Sequence, residues 1–163
     1  MFKLIVILSI FVACVIAQPA GTLPGIQNGY LILSSTTDYN ADHGVQNSKL
    51  NRPIRAWIPT TTAINNVNQW IMASSSVPFD VYGISVQGRY DANDWIIEFT
   101  IQVSLDGVNW QQIGYFYSNL NDRNTVKYID FGGARRVRNV MLVPKNFMGT
   151  AYALRWDVLM KIV

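Results

Sequence analysis

Apolar and polar residues alternate with a period of two along most of this chain. Over 96–105, Ile97, Phe99, Ile101, Val103 and Leu105 fall on one side, and Glu98, Thr100, Gln102 and Ser104 on the other. That is the pattern of a strand with one buried face. Asp106-Gly107-Val108-Asn109 follows with turn chemistry, and 110–117 reads as the returning arm of a hairpin. Near the C-terminus Leu154, Trp156, Val158 and Met160 alternate with Ala153, Arg155, Asp157 and Leu159. Arg155 and Asp157 therefore share a face and are expected to form an ion pair or a hydrogen-bonded support. Further strands are expected over 30–34, 70–73, 80–87, 125–131 and 138–143, and helical periodicity is absent. Eight short strands separated by Asn-, Asp-, Gly- and Pro-rich connections predict an all-β sandwich or barrel. The five tryptophans, Trp57, Trp70, Trp95, Trp110 and Trp156, occupy patterned positions and are expected in its core. Segments 35–69 and 144–152 are long and polar for turns, and loops of that length on a β domain are where ligands bind.

The first 17 residues break the alternation. MFKLIVILSIFVACVIA carries Lys3 and then an apolar run from Leu4 to Ala17 interrupted only by Ser9, ahead of Gln18-Pro19. Fourteen residues suit the core of a secretory signal and are short for a bilayer span. The segment is read as a signal peptide cleaved after Ala17; a retained anchor or a lipid on Cys14 are the other readings. Cleavage leaves 146 residues and a formal charge of +2, and removes the only cysteine. The product is then a secreted, extracellular or cell-surface-associated domain without a disulfide, unusual where oxidation would permit one. Residues 18–27 read as an extended lead-in and 28–163 as one domain.

Composition narrows the chemistry. Half of the residues are apolar and 14% are charged, so the chain has the means to build a core. With one histidine and one cysteine in the whole sequence, no Cys-His pair, histidine-rich metal cluster or Gly-x-Ser-x-Gly turn exists once Cys14 is gone, and the expectation is no enzyme. A nearly neutral secreted chain also argues against nucleic acid, although Lys127, Arg135, Arg136 and Arg138 are the residues such binding would use.

A series of short motifs then falls in a recognisable order. Ser48-Lys49-Leu50-Asn51 precedes Ala56-Trp57-Ile58-Pro59, followed by Asn68-Gln69-Trp70-Ile71, Gly83-Ile84, Gln87-Gly88-Arg89 and Trp95. Next come Ser104-Leu105-Asp106-Gly107-Val108-Asn109-Trp110, Asn119-Leu120-Asn121-Asp122, Arg138 before Pro144, and Leu154-Arg155-Trp156. Over 28–163 the sequence resembles the discoidin domain, or coagulation factor V/VIII type C domain. The resemblance implies an eight-stranded antiparallel jelly-roll barrel or β-sandwich, galactose-binding-domain-like, non-catalytic, with binding loops at one end. Members of the family bind sugars, anionic phospholipid or collagen. The chain departs from the family in lacking the disulfide that often closes its termini, and in carrying Ser74 or a neighbour where an acidic residue usually follows the Gln-Trp-Ile strand.

The loop 38–47 resembles that of the slime-mould discoidins, and its polarity opposes membrane insertion, since burying unpartnered polar groups costs several kcal/mol each. It offers Asp38, Tyr39, Asp42, His43 and Asn47, while the loop after Gln87-Gly88 offers Arg89, Tyr90, Asn93 and Asp94. Planar donors and acceptors beside aromatic faces suit sugar hydroxyls and ring C–H groups. The expected ligand is a galactose or N-acetylgalactosamine type cell-surface glycan, bound between these loops in a lectin-like adhesion role. His43 equally serves a turn, and Arg89 equally supports the loop from beneath. By resemblance one calcium would be held by Asp42 and Asp157 among main-chain carbonyls. The alternative is a phosphatidylserine surface or a cell-surface protein, met through Ile54, Ile58, Phe147 and Met148 with Arg52 and Arg55. Oligomeric state is not legible in the sequence.

Overall fold

The computed structural model describes residues 18–60 and 69–162; the expected signal segment 1–17 and residues 61–68 of the first long loop lie outside these. Seven strands run β1 (Leu23–Pro24), β2 (Ile32–Ser35), β3 (Ile71–Gln87), β4 (Trp95–Ser104), β5 (Gln111–Tyr117), β6 (Lys127–Met148) and β7 (Arg155–Ile162), with short 3-10 turns at Ala41–His43 and Val45–Asn47. All pairings between them are antiparallel. The order across the sheet is β1-β7-β3-β6-β4-β5, and β2 pairs with β3 beside this path.

The count falls to seven because two pairs of expected strands are each one element, while β1 adds a strand that the pattern does not predict. β3 absorbs 70–73 and 80–87, and β6 absorbs 125–131 and 138–143. Pro78 looks like a breaker, but it lies in the register gap between Ser74 and Phe79, where neither β6 nor β7 requires its missing N–H. Gly132 and Gly133 look like a turn, yet they form a bulge at φ +73° and +135° between the pairs that end at Asp130 and resume at Arg135. These irregularities let β3 and β6 bend, so that each serves both halves of the barrel. Phe116 of edge strand β5 meets Phe131 of β6 at 5.4 Å between ring centroids and stacks near Phe99 at 6.0 Å, closing the sheet over its core.

The expected facing of β4 is corrected at both ends. Register shifts around Glu98 turn Ile96 into the core and leave Ile97 half-buried, and Leu105, past the strand end, is exposed. Trp57, Trp95 and Trp156 are buried as expected, whereas Trp70 and Trp110 are half-buried. Residues 144–148, expected as loop, continue β6. The lead-in is drawn into the domain, since β1 pairs with β7 and Ile26 is a core residue.

Arg155 and Asp157 do share a face, but they do not pair with each other. Arg155, 2% exposed, donates to the carbonyls of Gly88 (2.6 Å), Arg52 (3.2 Å) and Arg123 (3.1 Å), tying three loops to β7. Asp157, fully buried, accepts from the backbone N–H groups of Ile26 (2.8 Å), Gln27 (2.9 Å) and Val158 (2.8 Å). Burial pushes the Asp157 carboxyl up, against the downward pull of those three donors.

Candidate functional site

Three loops meet beside the ends of β3 and β6. In the first, Asn40 caps the turn Ala41–His43, its side-chain oxygen accepting the His43 N–H. The strap 55–58 runs alongside: Tyr39 N–H donates to the Ile58 carbonyl, Ile58 N–H to that of His43, and Trp57 exchanges backbone bonds with Leu154. The third loop closes through Arg89 N–H to the Asp94 carbonyl, and Tyr90 N–H ties it to the Arg55 carbonyl. Gly149, at φ +91°, lets the segment after β6 pass against this loop, because a Cβ there would stand 2.2 Å from an Asp94 carboxylate oxygen and 2.4 Å from the Asn93 carbonyl.

Between the loops lies a cavity of about 390 Å³ lined by Tyr39, His43, Ile58, Arg89, Thr150 and Ala151, within the range of small-molecule sites. Its cationic wall is Arg89, which is bound to Asp91 (2.6 and 3.1 Å) and Asp94 (3.2 Å). Asp91 also receives Arg55 at 2.9 Å, and Asp42 lies 3.6 Å from Arg55. The Arg89 hydrogen bond brings the Asp91 carboxyl down to about 2, and the same contact raises the Arg89 guanidinium. Burial, and then the Arg89 and Arg55 charges, lower His43 below its ordinary value of 6.5. Tyr39 is 59% exposed and meets the His43 ring edge-on at 5.8 Å. Ile58 and Ala151 are buried and supply apolar surface. The cleft thus offers fixed cationic donors, an imidazole, an aromatic ring and an apolar floor.

Of the nine expected ligand residues, Tyr39, His43 and Arg89 line the cleft. Asp38 is spent on Ser35 Oγ and the Val45 N–H, and Asn47 on the carbonyls of Ala41 and Asp42. Asp94 is buried and accepts from Arg89 and from the Thr150 N–H and hydroxyl. These three shape the loops. Asp42 sits with Arg55, Asn93 is exposed in its loop, and the Tyr90 ring packs 5.9 Å from the Arg155 guanidinium. Sequence reasoning missed Asn40, Asp91, Thr150 and Ala151, and placed Arg55 and Ile58 only in the phospholipid alternative. The Arg-x-Asp spacing of Arg89 and Asp91 was the one local signal for any of them.

Asp42 and Asp157 do not fit a shared calcium. Asp157 faces three N–H dipoles whose positive ends oppose a cation, and Asp42 faces a guanidinium. Among the described residues no group of three or more His, Cys, Asp or Glu is arranged to hold a metal. The apolar residues named for a membrane surface divide: Ile54 and Met148 are exposed, whereas Ile58 is buried and Phe147 packs on Tyr152 at 4.7 Å.

The antiparallel β fold thus carries a polar cleft among its loops. A sequence model of the F5/8 type C domain matches residues 32–158, and the chain belongs to that family, the discoidin domains. It is 32% identical over 152 residues to discoidin-2 of Dictyostelium discoideum, an alignment covering 86% of this chain and 58% of that protein. It is 31% identical over 140 residues to a discoidin-1 polypeptide of the same organism, covering 79% and 54%. The chain thus spans a little over half the length of these relatives. The wild-type discoidin II structure superposes with a TM-score of 0.81 over 90% of this chain and 61% of that one. A Clostridium perfringens module, solved in complex with GalNAc-β-1,3-galactose, shares the fold at a TM-score of 0.67 and 18% identity, covering 84% and 98%.

Proposed function

We propose that this domain binds carbohydrate, of the galactose or N-acetylgalactosamine type, in the cleft between Tyr39, His43 and Arg89, and that it works as a secreted or cell-surface-associated adhesion module. The observation that carries this reading is the meeting of three unlike groups around one cavity: a guanidinium held rigid by two carboxylates, an imidazole, and an exposed aromatic ring. A sugar presents vicinal hydroxyls to the first two and a C–H face to the third. Arg89 loses little freedom on binding because Asp91 and Asp94 already hold it. The same fold in a bacterial module complexed with a galactose-containing disaccharide makes these sugars the first to try.

The test is retention of the full chain on immobilised galactose and N-acetylgalactosamine, with free sugar as competitor. Tyr39→Ala removes an exposed ring and leaves its backbone bond to Ile58 in place, so the variant should fold and bind roughly tenfold more weakly. A folded protein that ignores both sugars and sediments with phosphatidylserine vesicles would overturn the reading in favour of a lipid surface.

A further inference from the structure

Edge strand β5 carries two large aromatic rings on its outer face. Phe116 points inward onto Phe99 and Phe131, while its neighbours Tyr115 and Tyr117 remain 48% and 54% exposed, with their rings edge to face at 5.7 Å. Core packing does not require them, and adjoining exposed rings mark a contact surface. β5 pairs only with β4, and the first half of β6 only with β3, so among the described residues no ladder closes the seam between them. A hollow of about 350 Å³ opens along that seam, lined by Tyr115, Tyr117, Tyr128, Asn119 and Asp130 over the inward-facing Phe116 and Ile129. It shares no lining residue with the cleft. Asp130, exposed, is its only charged lining residue, and one of its carboxylate oxygens accepts the Gly132 N–H at 2.8 Å. Glu98 stands behind the platform and accepts the Tyr115 hydroxyl, which fixes that ring. The Tyr128 hydroxyl is buried, so this residue offers its ring and not its oxygen. Burial, and then the Asp130 charge beside it, push the Tyr128 phenol up to about 12.

We propose that this hollow is a second ligand site, separate from the cleft, and that it takes an amino-sugar unit whose ammonium meets Asp130 and whose ring lies against Tyr115 and Tyr117. The electron-rich faces of tyrosine rings attract a cation and also cover the C–H face of a sugar. An ammonium group adds a charge-assisted bond to the carboxylate oxygen of Asp130 that Gly132 leaves open. Asn119 supplies an amide donor and acceptor for ring hydroxyls. Charge sorts the two sites. The cleft sets Arg89 and Arg55 before a ligand, which opposes an ammonium, whereas the hollow sets a carboxylate before it and is lined by no cation. A sulfated or carboxylated sugar would be repelled by Asp130. The site stands independently of the galactose reading, and with it one domain could hold two unlike sugars at once and gain avidity on a mixed surface.

The probes are the trimer of β-1,4-linked glucosamine and its fully N-acetylated counterpart, titrated into the isotopically labelled full chain in mildly acidic buffer, where the free amines are protonated. The glucosamine trimer should shift the amides of 98, 115–119 and 128–132 saturably. The acetylated trimer, which lacks the charge, should bind there at least about threefold more weakly. Tyr117→Ala removes an exposed ring and should weaken the glucosamine trimer roughly fivefold. Asp130→Asn keeps an oxygen for the Gly132 N–H and should weaken it roughly threefold. Neither variant should change retention on galactose or N-acetylgalactosamine. Equal binding of the two trimers at these residues overturns the proposal, as do shifts confined to 38–44 and 88–94 or no saturable shift at all. So does a wild-type chain that self-associates in sedimentation velocity and becomes monomeric in Tyr117→Ala, which would give the hollow to a second copy. Galactose is read separately on the cleft, so failure of either site leaves the other standing.

Discussion

Replacing Arg155 by methionine removes a buried cation whose visible acceptors are all backbone carbonyls. It donates to Gly88 just ahead of the cleft loop, to Arg52 ahead of the strap and to Arg123 of a third loop. The Gly88 bond is fully buried, and losing it costs about 1–3 kcal/mol. The other two carbonyls lie where water reaches in part, so each loses roughly half as much. Against this stands relief of the desolvation that burial imposes on the guanidinium, the same effect that lowers its pKa. The net loss is about 2–4 kcal/mol, a fall of roughly 5–15 °C in melting temperature for a domain of this size. Thermal and urea unfolding measure it directly. Arg155→Lys should fall between the two, because an ammonium keeps the charge but lacks the fork that spans three carbonyls. Because Arg155 anchors the loop bearing Arg89, the methionine variant should also exchange the Arg89 and Tyr90 amides faster. An Arg155→Met protein that melts within a degree or two of wild type would refute the idea that this residue organises the site from beneath.

Other outcomes follow from the same geometry. Asp157→Ala strands the N–H groups of Ile26 and Gln27 and should cost about 2–4 kcal/mol in urea unfolding, with the lead-in becoming sensitive to protease. Gly149→Ala puts a Cβ against the Asp94 carboxylate at a positive φ, so it should lower stability by about 1–3 kcal/mol and weaken sugar binding as well. Asp91 has its folded pKa depressed to about 2, so its contribution is present above the unfolded value near 3.8 and is lost as pH falls toward 2. His43 is likewise depressed, from 6.5, so its share is present above that value and lost as pH falls through its lower folded value. Melting temperature followed from about pH 7 to about pH 2 should show both losses, and Asp91→Asn should reduce the lower one, to which the hydrogen-bonded Asp106 and Asp122 carboxyls, also held below their ordinary value, contribute as well.

The hairpin of β4 and β5 and the last strand were legible because each alternates apolar and polar residues between clear turn signals. The Asp106 turn behaves as its sequence suggests, its carboxylate capping the N–H groups of Val108 and Asn109. The continuity of β3 and β6 was not legible. Pro78 and the Gly132-Gly133 pair mark breaks in a one-dimensional reading, and only partner strands show that ladder bonds are not needed there. The inverted facing of Ile96 and Ile97 has the same origin, since a bulge shifts the period without changing composition. In the cleft, Tyr39, His43 and Arg89 are legible as candidates because their types suit a ligand and their loops are long, and all three line the cavity. Asp38, Asn47 and Asp94 have equally suitable types but spend their polar atoms on nearby backbone and side chains, which sequence cannot reveal. Asn40 carries no such signal, because its role lies in a contact with His43. The buried Arg155 reads in sequence as an ion-pair partner of Asp157 or as a hydrogen-bonded support; the structure shows the support, on carbonyl acceptors that leave no mark on composition.

The most direct measurement of the central claim is a titration of the isotopically labelled full chain with galactose and with N-acetylgalactosamine, followed by amide chemical shifts. Binding in the cleft predicts saturable changes confined to residues 38–44, 55–58, 88–94 and 149–151. Changes confined to the opposite hairpin at 104–111, or no saturable change with either sugar, would contradict it.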